Sequence, residues 1–382
     1  MNYSGDCDKI IQVQDRKIGR GQPIFLTAEI GLAHIGNFKY ACEMIEAAAA
    51  AGCDGVDMFM GNSNGFYFAP FKPDKDTRKV WDEQSFSDDQ WRELLALGRK
   101  LDIVVYATPL DLVSLGRAAA LKVPMININS DDANNLPFLI EAAKLGVPIT
   151  MHDISISLAE IDCAVSTLLE NGAKDIILLH STRENGDPAT LYSTANLRVM
   201  DTYKSAFGAR GVLAGCVEHT TSDFLIYGVA ARQPALISKH IQLANSGNTH
   251  DASISVDTDS LSTMVKKVRY IEMALGSGSN QTVVDADGVS VDRTRSKVLV
   301  ANRFIPAGTV IGHLDIVAKR PGRLGGLGPW YVNVLQGARA ACDIPENTLV
   351  NLNMFKDFQE PPYKQPYPEK VEVKRTDTIR GA

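Results

Sequence analysis

The chain lacks the features that mark membrane, secreted and disulfide-rich proteins. No apolar stretch approaches the roughly 18 residues that a membrane span needs, and the first residues lack the apolar run of a signal peptide. None of the six cysteines belongs to a C-x-x-C pair, which favours reduced thiols in a reducing compartment. These absences predict a cytoplasmic protein with no membrane partner.

Strongly basic segments are also missing. The formal net charge is −6 and no run rich in Lys and Arg appears, so a nucleic-acid partner is not expected. Hydrophobic residues make up 45% and charged residues 22% of the 382 residues, which is ordinary for a globular protein. This length allows one large core and a second, smaller domain.

The sequence does contain a repeated alternation of short apolar runs and helical patterns. Such runs, buried on both faces, are typical of parallel strands. Helical patterns between them end at glycine, as Asn37–Ala51 does at Gly52. Eight repeats predict a (β/α)₈ barrel, with a doubly wound open sheet as the alternative. The eight runs are Ile24–Ile30, Gly55–Met60, Ile103–Ala107, Met125–Ile128, Pro148–Met151, Asp175–Leu179, Val212–Cys216 and Ala235–Ser238.

Composition changes after the last predicted helix, where residues 277–281 form a Ser/Gly/Asn linker. We predict a barrel over residues 1–282, a small β-rich domain over 290–355 and a proline-rich tail over 356–382. The opening segment Ile10–Gln22 predicts a hairpin that covers the floor of the barrel. The organisation is therefore one large α/β domain followed by one small β-domain.

Histidines cluster where a barrel places its chemistry, at the C-terminal ends of the strands. Five of the seven histidines fall at or just beyond a predicted strand end: His34, His152, His180, His219 and His240. His219 and His240 end adjacent strands, so their imidazoles are predicted to share one mouth and to bind a divalent metal. No third protein ligand is evident, which predicts open positions for water and substrate.

The order and spacing of several motifs resemble the N-acetylneuraminate (sialic acid) synthase family with its C-terminal antifreeze-like (SAF) domain. The first strand is similar to the family's A-E-I-G-x-N-H-x-G, with Ala33 in place of the asparagine. The resemblance covers roughly residues 20–355. The other matching segments include Ala107–Leu110, Leu178–Thr182, Gly215–Thr220, Ile305–Gly308 and Lys319–Gly322.

The resemblance implies an enzyme that condenses phosphoenolpyruvate with a sugar aldehyde to give a 2-keto-3-deoxy sugar acid. It implies that Mn²⁺ or Mg²⁺, held by His219 and His240, polarises the aldehyde oxygen, and that Glu29 acts as an acid or base or orients hydroxyls. It also implies a domain-swapped homodimer in which Arg320 of the SAF domain contacts the sugar. The remaining residues expected to bind substrate are His34, Thr108, Asn127, Ser130, Asp251 and Ser255.

The chain departs from the family where the phosphoenolpyruvate lysines are expected. Asp57 and Asn127 occupy those two positions, Arg183 replaces an asparagine, and His152 lies in a changed turn. At an effective dielectric near 20, each lost contact with the anion is worth about 4 kcal/mol before desolvation. We therefore expect Glu29 and these altered residues Asp57, His152 and Arg183 to be the catalytic residues.

Three functions remain open from sequence. The first is phosphoenolpyruvate condensation with the anion held through Arg183, or through Lys239 next to His240. The second is a repurposed barrel that uses another partner in an aldol or lyase reaction, with Asp57, Asp153 or His152 as general acid or base. The third is a non-catalytic binder, which the retained histidines and Glu29 argue against.

Overall fold

The computed structural model divides into two compact units, Met1–Ser277 and Gly278–Ala382. The predicted linker 277–281, Ser155 and the tail from 359 onward lie outside the described residues. The residues that the structure describes are 7–66, 82, 85–154, 156–183, 188–220, 222, 224–243, 251–276, 297–320 and 326–358.

The first unit opens with the predicted hairpin. Strand β1 (Ile10–Val13) pairs antiparallel with β2 (Arg16–Gly19). Ile11 and Ile18 are fully buried in the same core as the large sheet. Arg16 donates to the carbonyl of Asp102, in the turn that leads into a strand of that sheet. The hairpin therefore covers the N-terminal, floor side of the barrel.

Eight parallel strands form the barrel. Each pairs with the next along the chain, and the last strand pairs with both the first and the one before it, which closes the sheet. This closure confirms the (β/α)₈ barrel and excludes the open sheet. The strands are β3 (Phe25–Gly31), β4 (Gly55–Met60), β5 (Val104–Pro109), β6 (Ile126–Ile128), β7 (Ile149–His152), β8 (Ile176–Arg183), β9 (Val212–His219) and β10 (Leu236–Gln242). A further short strand, β11 (Val256–Asp257), pairs in parallel with the end of β10.

Helices surround the sheet and begin and end at the expected signals. Ser87 and Gln90 form a reciprocal capping box, and Gly52 ends the first helix in the left-handed region at φ 89°. None of the described helices is long and apolar enough to cross a membrane. The described helices of this unit are Phe38–Ala51, Ser63–Phe66, Asp88–Lys100, Leu112–Ala120, Leu136–Ala143, Leu158–Glu170, Pro188–Thr194, Val199–Phe207, Leu225–Ala231 and Thr258–Leu275.

Three strands run three or four residues further than the apolar runs predicted. Strand β8 continues to Arg183, β9 to His219 and β10 to Gln242. Polar residues at these ends resemble loop sequence, yet parallel pairing continues as far as Arg183 opposite His219. The side chains of the mouth therefore stand on regular strand ends, which fixes their direction.

The second unit has its own small core. Strand β12 (Val298–Ala301) pairs with β13 (Ile316–Lys319), and β14 (Arg339–Ala340) pairs with β15 (Phe355–Lys356), both antiparallel. A short helix spans Val332–Leu335. Small antiparallel pieces around a separate cluster of buried apolar side chains confirm the β-rich character of this domain.

Candidate functional site

Polar side chains collect inside the barrel at the C-terminal ends of the strands. His152 on β7 lies 6.1 Å, ring centroid to ring centroid, from His219 on β9, although these strands are not neighbours. Such a contact across an intervening strand is possible only through the interior. Residues two apart on a strand share a face, so the interior ring is built from alternate positions.

Glu29, His219 and His240 converge at this mouth. One possible ligand atom from each lies within 4.8 Å of the others. The two imidazole rings are 5.0 Å apart, and His240 Nε2 lies 3.2 Å from Glu29 Oε1. Two imidazoles and one carboxylate suit a divalent first-row metal. The sequence had suggested two histidines without a third protein ligand, and the structure adds the Glu29 carboxylate.

The hydrogen bonds and protonation of these three side chains suit them to bind a metal. His219 Nδ1 donates to the carbonyl of Thr182 at 3.1 Å, which leaves Nε2 with its lone pair. Burial lowers the pKa of His240 to about 4, so its ring is neutral, and its buried Nδ1 has no hydrogen-bond partner. Burial raises the pKa of Glu29, although His152 and a hydrogen bond from Ser238 oppose this. The His240 nitrogen beside the Glu29 carboxylate is Nε2, and two imidazoles with one carboxylate form a donor set that a divalent ion would satisfy. The residues therefore fit a divalent metal.

A directional chain of hydrogen bonds runs along the other side of the interior. Thr150 donates to Asn127 Oδ1 at 2.7 Å, and Asn127 Nδ2 donates to Thr108 Oγ1 at 2.9 Å. Thr108 then donates to Asp57, whose two carboxylate oxygens lie 2.9 and 2.8 Å away. Burial and the nearby Glu29 raise the pKa of Asp57 well above its usual range. The chain therefore ends on a buried carboxyl group.

His152 stands near His219 and two positions after Thr150 on strand β7. It is 3% exposed, and burial lowers its pKa to about 4, so the imidazole is neutral at ordinary pH. Glu29 opposes that shift and His219 adds to it, which places His152 electrostatically close to both. A neutral imidazole in this position can accept a proton from a ligand.

Asp251 and His240 meet at Gly31, the last residue of β3. A side chain at Gly31 would lie 3.1 Å from Asp251 Oδ2 and 3.6 Å from the His240 ring, and its φ of 51° is in the left-handed region. Glycine therefore lets Asp251 approach the histidine. Ser255, also predicted to bind substrate, donates to the Asp251 carbonyl at 2.7 Å and so holds this loop.

The other predicted residues are less central. His34 is fully buried against Phe86, its Nδ1 accepts from the Gly36 backbone, and its Nε2 has no partner. Ser130 hydrogen-bonds locally to Asn129 in the turn after β6. The backbone of Arg183 ends β8, while its side chain lies outside the described part of the structure. Arg320 follows β13 in the second unit.

Asp153, considered from sequence as a general acid or base, is instead part of a buried network. Its carboxylate accepts from His180 Nδ1 at 2.9 Å, Tyr203 at 2.5 Å and the Ser181 backbone at 2.8 Å. Burial would raise the pKa of Asp153, but these hydrogen bonds outweigh it and lower the pKa. His180 Nε2 donates to the Ala195 carbonyl, so both ring nitrogens are donors and the ring is an imidazolium. Asp153 therefore stabilises the fold.

We expect Asp153→Asn to destabilise the protein by about 3–5 kcal/mol, because it leaves a buried imidazolium without its counter-ion. Burial would lower the pKa of His180, but Asp153 outweighs it and raises the pKa. The stabilisation by protonated His180 is fully present below the pKa of an unfolded histidine, and it is lost as pH rises through the raised pKa of His180 in the folded protein. Asp153→Asn should therefore lower the free energy of unfolding more near pH 5.5 than near pH 8.5. Urea unfolding at both pH values measures it.

The matched control is Asp162→Asn, which removes an ion pair with Arg210. The Asp162 side chain is 61% exposed. Exposed pairs contribute about 0–1 kcal/mol. Equal unfolding free energies for the two variants would contradict a structural role for Asp153.

Lys239, the suggested replacement cation for phosphate, is also engaged. Its Nζ lies 2.5 Å from Glu218 Oε2, and the side chains are 1% and 0% exposed. The same nitrogen donates to the carbonyls of Thr220 and Ile254. Its charge is balanced by Glu218, so Lys239 is not available to neutralise a phosphate.

Four contributing residues were missed from sequence: Thr150, Ser238, Glu218 and Tyr203. Thr150 and Ser238 each stand two positions before a predicted site histidine, on the same strand face. That spacing is a usable signal. Glu218 and Tyr203 carry no such signal, because their partners come from other elements.

Comparisons with known proteins identify the family of this chain. A model described as the NeuB family matches residues 44–280, and a SAF domain model matches residues 296–356. The first match covers more than half of the chain.

Two curated proteins illustrate the similarity. The chain is 28% identical to N-acetylneuraminate-9-phosphate synthase of Mus musculus over 345 residues, covering 88% of this chain and 93% of that protein. It is 27% identical to N,N'-diacetyllegionaminic acid synthase of Campylobacter jejuni over 309 residues, covering 78% and 90%. Both alignments span most of each chain.

A solved structure shows the same similarity. The crystal structure of N-acetylneuraminic acid (sialic acid) synthetase from Leptospira borgpetersenii, in complex with citrate, superposes with a TM-score of 0.66 at 25% identity. The superposition covers 74% of this chain and 94% of that one.

Proposed function

The chain belongs to the NeuB family, and on that basis we propose that it forms a carbon–carbon bond at the aldehyde carbon of a sugar-like substrate. The observation that carries this proposal is the convergence of Glu29, His219 and His240 at the barrel mouth. A divalent metal, Mn²⁺ or Mg²⁺ in this proposal, supplies a Lewis acid for a carbonyl oxygen when bound. The similarity to sugar-acid synthases supports the same class of substrate.

The chain's own residues have separate roles in this proposal. Glu29, held by Ser238 at 2.9 Å, orients the aldehyde and its hydroxyl groups. His152, neutral and close to both Glu29 and His219, moves a proton to or from the reacting partner. Asp251 and Ser255 border the mouth beside Gly31 and bind substrate hydroxyls.

The nucleophilic partner is where this chain differs from the resemblance. Asp57 and Asn127 are joined through Thr108 in one buried chain, and Lys239 is paired with Glu218. The described side chains of this hydrogen-bond chain, which runs from Thr150 to Asp57, include no cation that could hold phosphoenolpyruvate. We propose that the preferred partner is a small carbonyl compound without phosphate, joined in an aldol-type reaction.

Phosphoenolpyruvate condensation is the second candidate, and one observation favours it. Arg183 pairs in register with His219 across β8 and β9, so its backbone stands beside a proposed metal ligand. An arginine in this position suits a phosphate or carboxylate, because its guanidinium binds both bidentately.

One experiment separates the two. The Mn²⁺-loaded protein is incubated with a panel of hexosamine aldehydes and either phosphoenolpyruvate or pyruvate. We expect aldehyde consumption with pyruvate and little phosphate release from phosphoenolpyruvate. Rapid phosphate release that requires the aldehyde would favour the second candidate, and no consumption with either partner would refute both.

We also propose a domain-swapped homodimer, in which Arg320 of one protomer reaches the substrate of the other. The proposal rests on the match of residues 296–356 to the SAF domain and on the resemblance. We expect Arg320→Ala and His219→Ala to be inactive separately, and a mixture of the two to regain activity. In a swapped dimer of the two variants, one mouth combines an intact His219 with an intact Arg320. If light scattering shows a dimer but the mixture regains no activity, the swap is contradicted.

A further inference from the structure

A buried ion pair lies directly behind the proposed metal ligands. Glu218 immediately precedes His219, and Lys239 immediately precedes His240. Glu218 and Lys239 face each other in the register of β9 and β10, and their charged atoms are 2.5 Å apart. Successive residues of a strand point to opposite faces, so this pair stands on the outer face of the sheet while the histidines face the interior.

The ion pair also makes hydrogen bonds to segments that carry residues of the mouth. Lys239 also donates to the carbonyls of Thr220, after β9, and Ile254, in the loop after β10. Glu218 accepts from Thr182 and Thr220. These bonds link β8, β9, β10 and the turn that follows Asp251.

Thr182 connects the pair to a ligand. Its hydroxyl donates to Glu218 Oε1 at 3.4 Å and accepts from the His219 backbone at 3.2 Å, while its carbonyl accepts from His219 Nδ1 at 3.1 Å. A shift of Glu218 therefore displaces the strand segment that fixes the orientation of His219.

We propose that Glu218 and Lys239 are positioning residues, which set the spacing and orientation of His219, His240 and Asp251 for metal binding. The inference rests on the metal site proposed above. A buried pair adds little to stability compared with apolar residues of similar volume, so its removal as a pair need not unfold the protein. Outer-shell partners of metal ligands typically change metal affinity by about 10–100-fold when they are replaced.

The test is the double variant Glu218→Gln with Lys239→Met, which removes both charges and leaves none unpaired. We expect it to stay folded without metal but to melt at a lower temperature than the wild-type protein, because the Thr220 and Ile254 carbonyls lose a donor. It should also bind Mn²⁺ about 10–100-fold more weakly by calorimetry. The single variant Glu218→Asp keeps the charge but shortens the side chain, so it should lose part of the affinity. The electron paramagnetic resonance spectrum of bound Mn²⁺ should broaden in both.

The matched control is a second ion pair of the same barrel, Asp54 with Arg269, at 2.7 Å. Asp54→Asn with Arg269→Met should change stability and leave Mn²⁺ affinity unaltered, because Asp54 precedes β4 at the opposite end of the barrel. Wild-type Mn²⁺ affinity in the Glu218/Lys239 double variant would overturn this inference alone. Failure of the wild-type protein to bind Mn²⁺ would overturn both this inference and the proposed metal site.

Discussion

His219→Ala and His240→Ala should each abolish tight Mn²⁺ binding and all activity. Either change leaves one imidazole and Glu29, too few protein ligands for a selective site. We expect the affinity to fall by more than about 100-fold, beyond the usual effect of outer-shell changes. Calorimetry and the metal content of the purified variants measure this.

Two further variants define what the loss means. His313→Ala removes an exposed histidine of the second unit and should leave Mn²⁺ affinity unchanged. Glu29→Gln retains a carbonyl oxygen but removes the charge, so it should weaken binding less than the loss of either histidine. Unchanged metal content in His219→Ala or His240→Ala would refute the assignment.

The barrel was predictable because its signal is local. Each strand, such as Gly55–Met60, is an apolar run between amphipathic helices, and eight such units suggested closure. The closing step itself was not in the pattern, because it depends on the pairing of the last strand, β10, with the first, β3. A count favours a closed barrel over an open sheet, but only the pairing of those two strands decides between them.

The site was predictable at the level of residue types and less so at the level of partners. His219 and His240 were identified by their positions at strand ends. Lys239, however, resembled an available cation because its partner, Glu218, is 21 residues away and meets it only through the register of adjacent strands. The network around Asp153, one of three candidate acids or bases, was equally hidden, since its donors His180 and Tyr203 come from other elements.

These partners change the charge of the mouth. Lys239 cancels Glu218, and His180 cancels Asp153, so neither pair contributes a net charge to a ligand. Glu29 is assigned to the proposed metal, and Asp57 is the carboxyl group that ends the hydrogen-bond chain on the opposite side. Among the described side chains of that side, we therefore expect the protonation of Asp57 to affect the affinity for an anionic partner most directly.

At the alkaline end of the range tested, near pH 9, Asp57→Asn should bind phosphoenolpyruvate at least about tenfold more tightly than the wild-type protein. An ionised Asp57 at about 4 Å from the ligand costs up to about 4 kcal/mol at an effective dielectric near 20. Burial and Glu29 raise the pKa of Asp57, so its ionised fraction grows with pH. Wild-type affinity should consequently fall as pH rises, and Asp57→Asn should lose that dependence. Titration calorimetry with Mn²⁺ present, between about pH 7 and 9, measures both effects.

Two comparisons make the phosphoenolpyruvate experiment decisive. Asp251→Asn removes a carboxylate from the His240 side of the mouth, and it should not reproduce the tenfold gain if Asp57 faces the anion. Arg183→Ala should weaken any residual binding, because Arg183 is a cation that the sequence gains and its backbone pairs in register with His219. Affinity near the micromolar range in the wild-type protein that survives Arg183→Ala would show that the lost lysines are compensated elsewhere, and phosphoenolpyruvate condensation would then be the better function. Absent phosphoenolpyruvate binding, with a hexosamine aldehyde still bound, would instead favour the partner without phosphate.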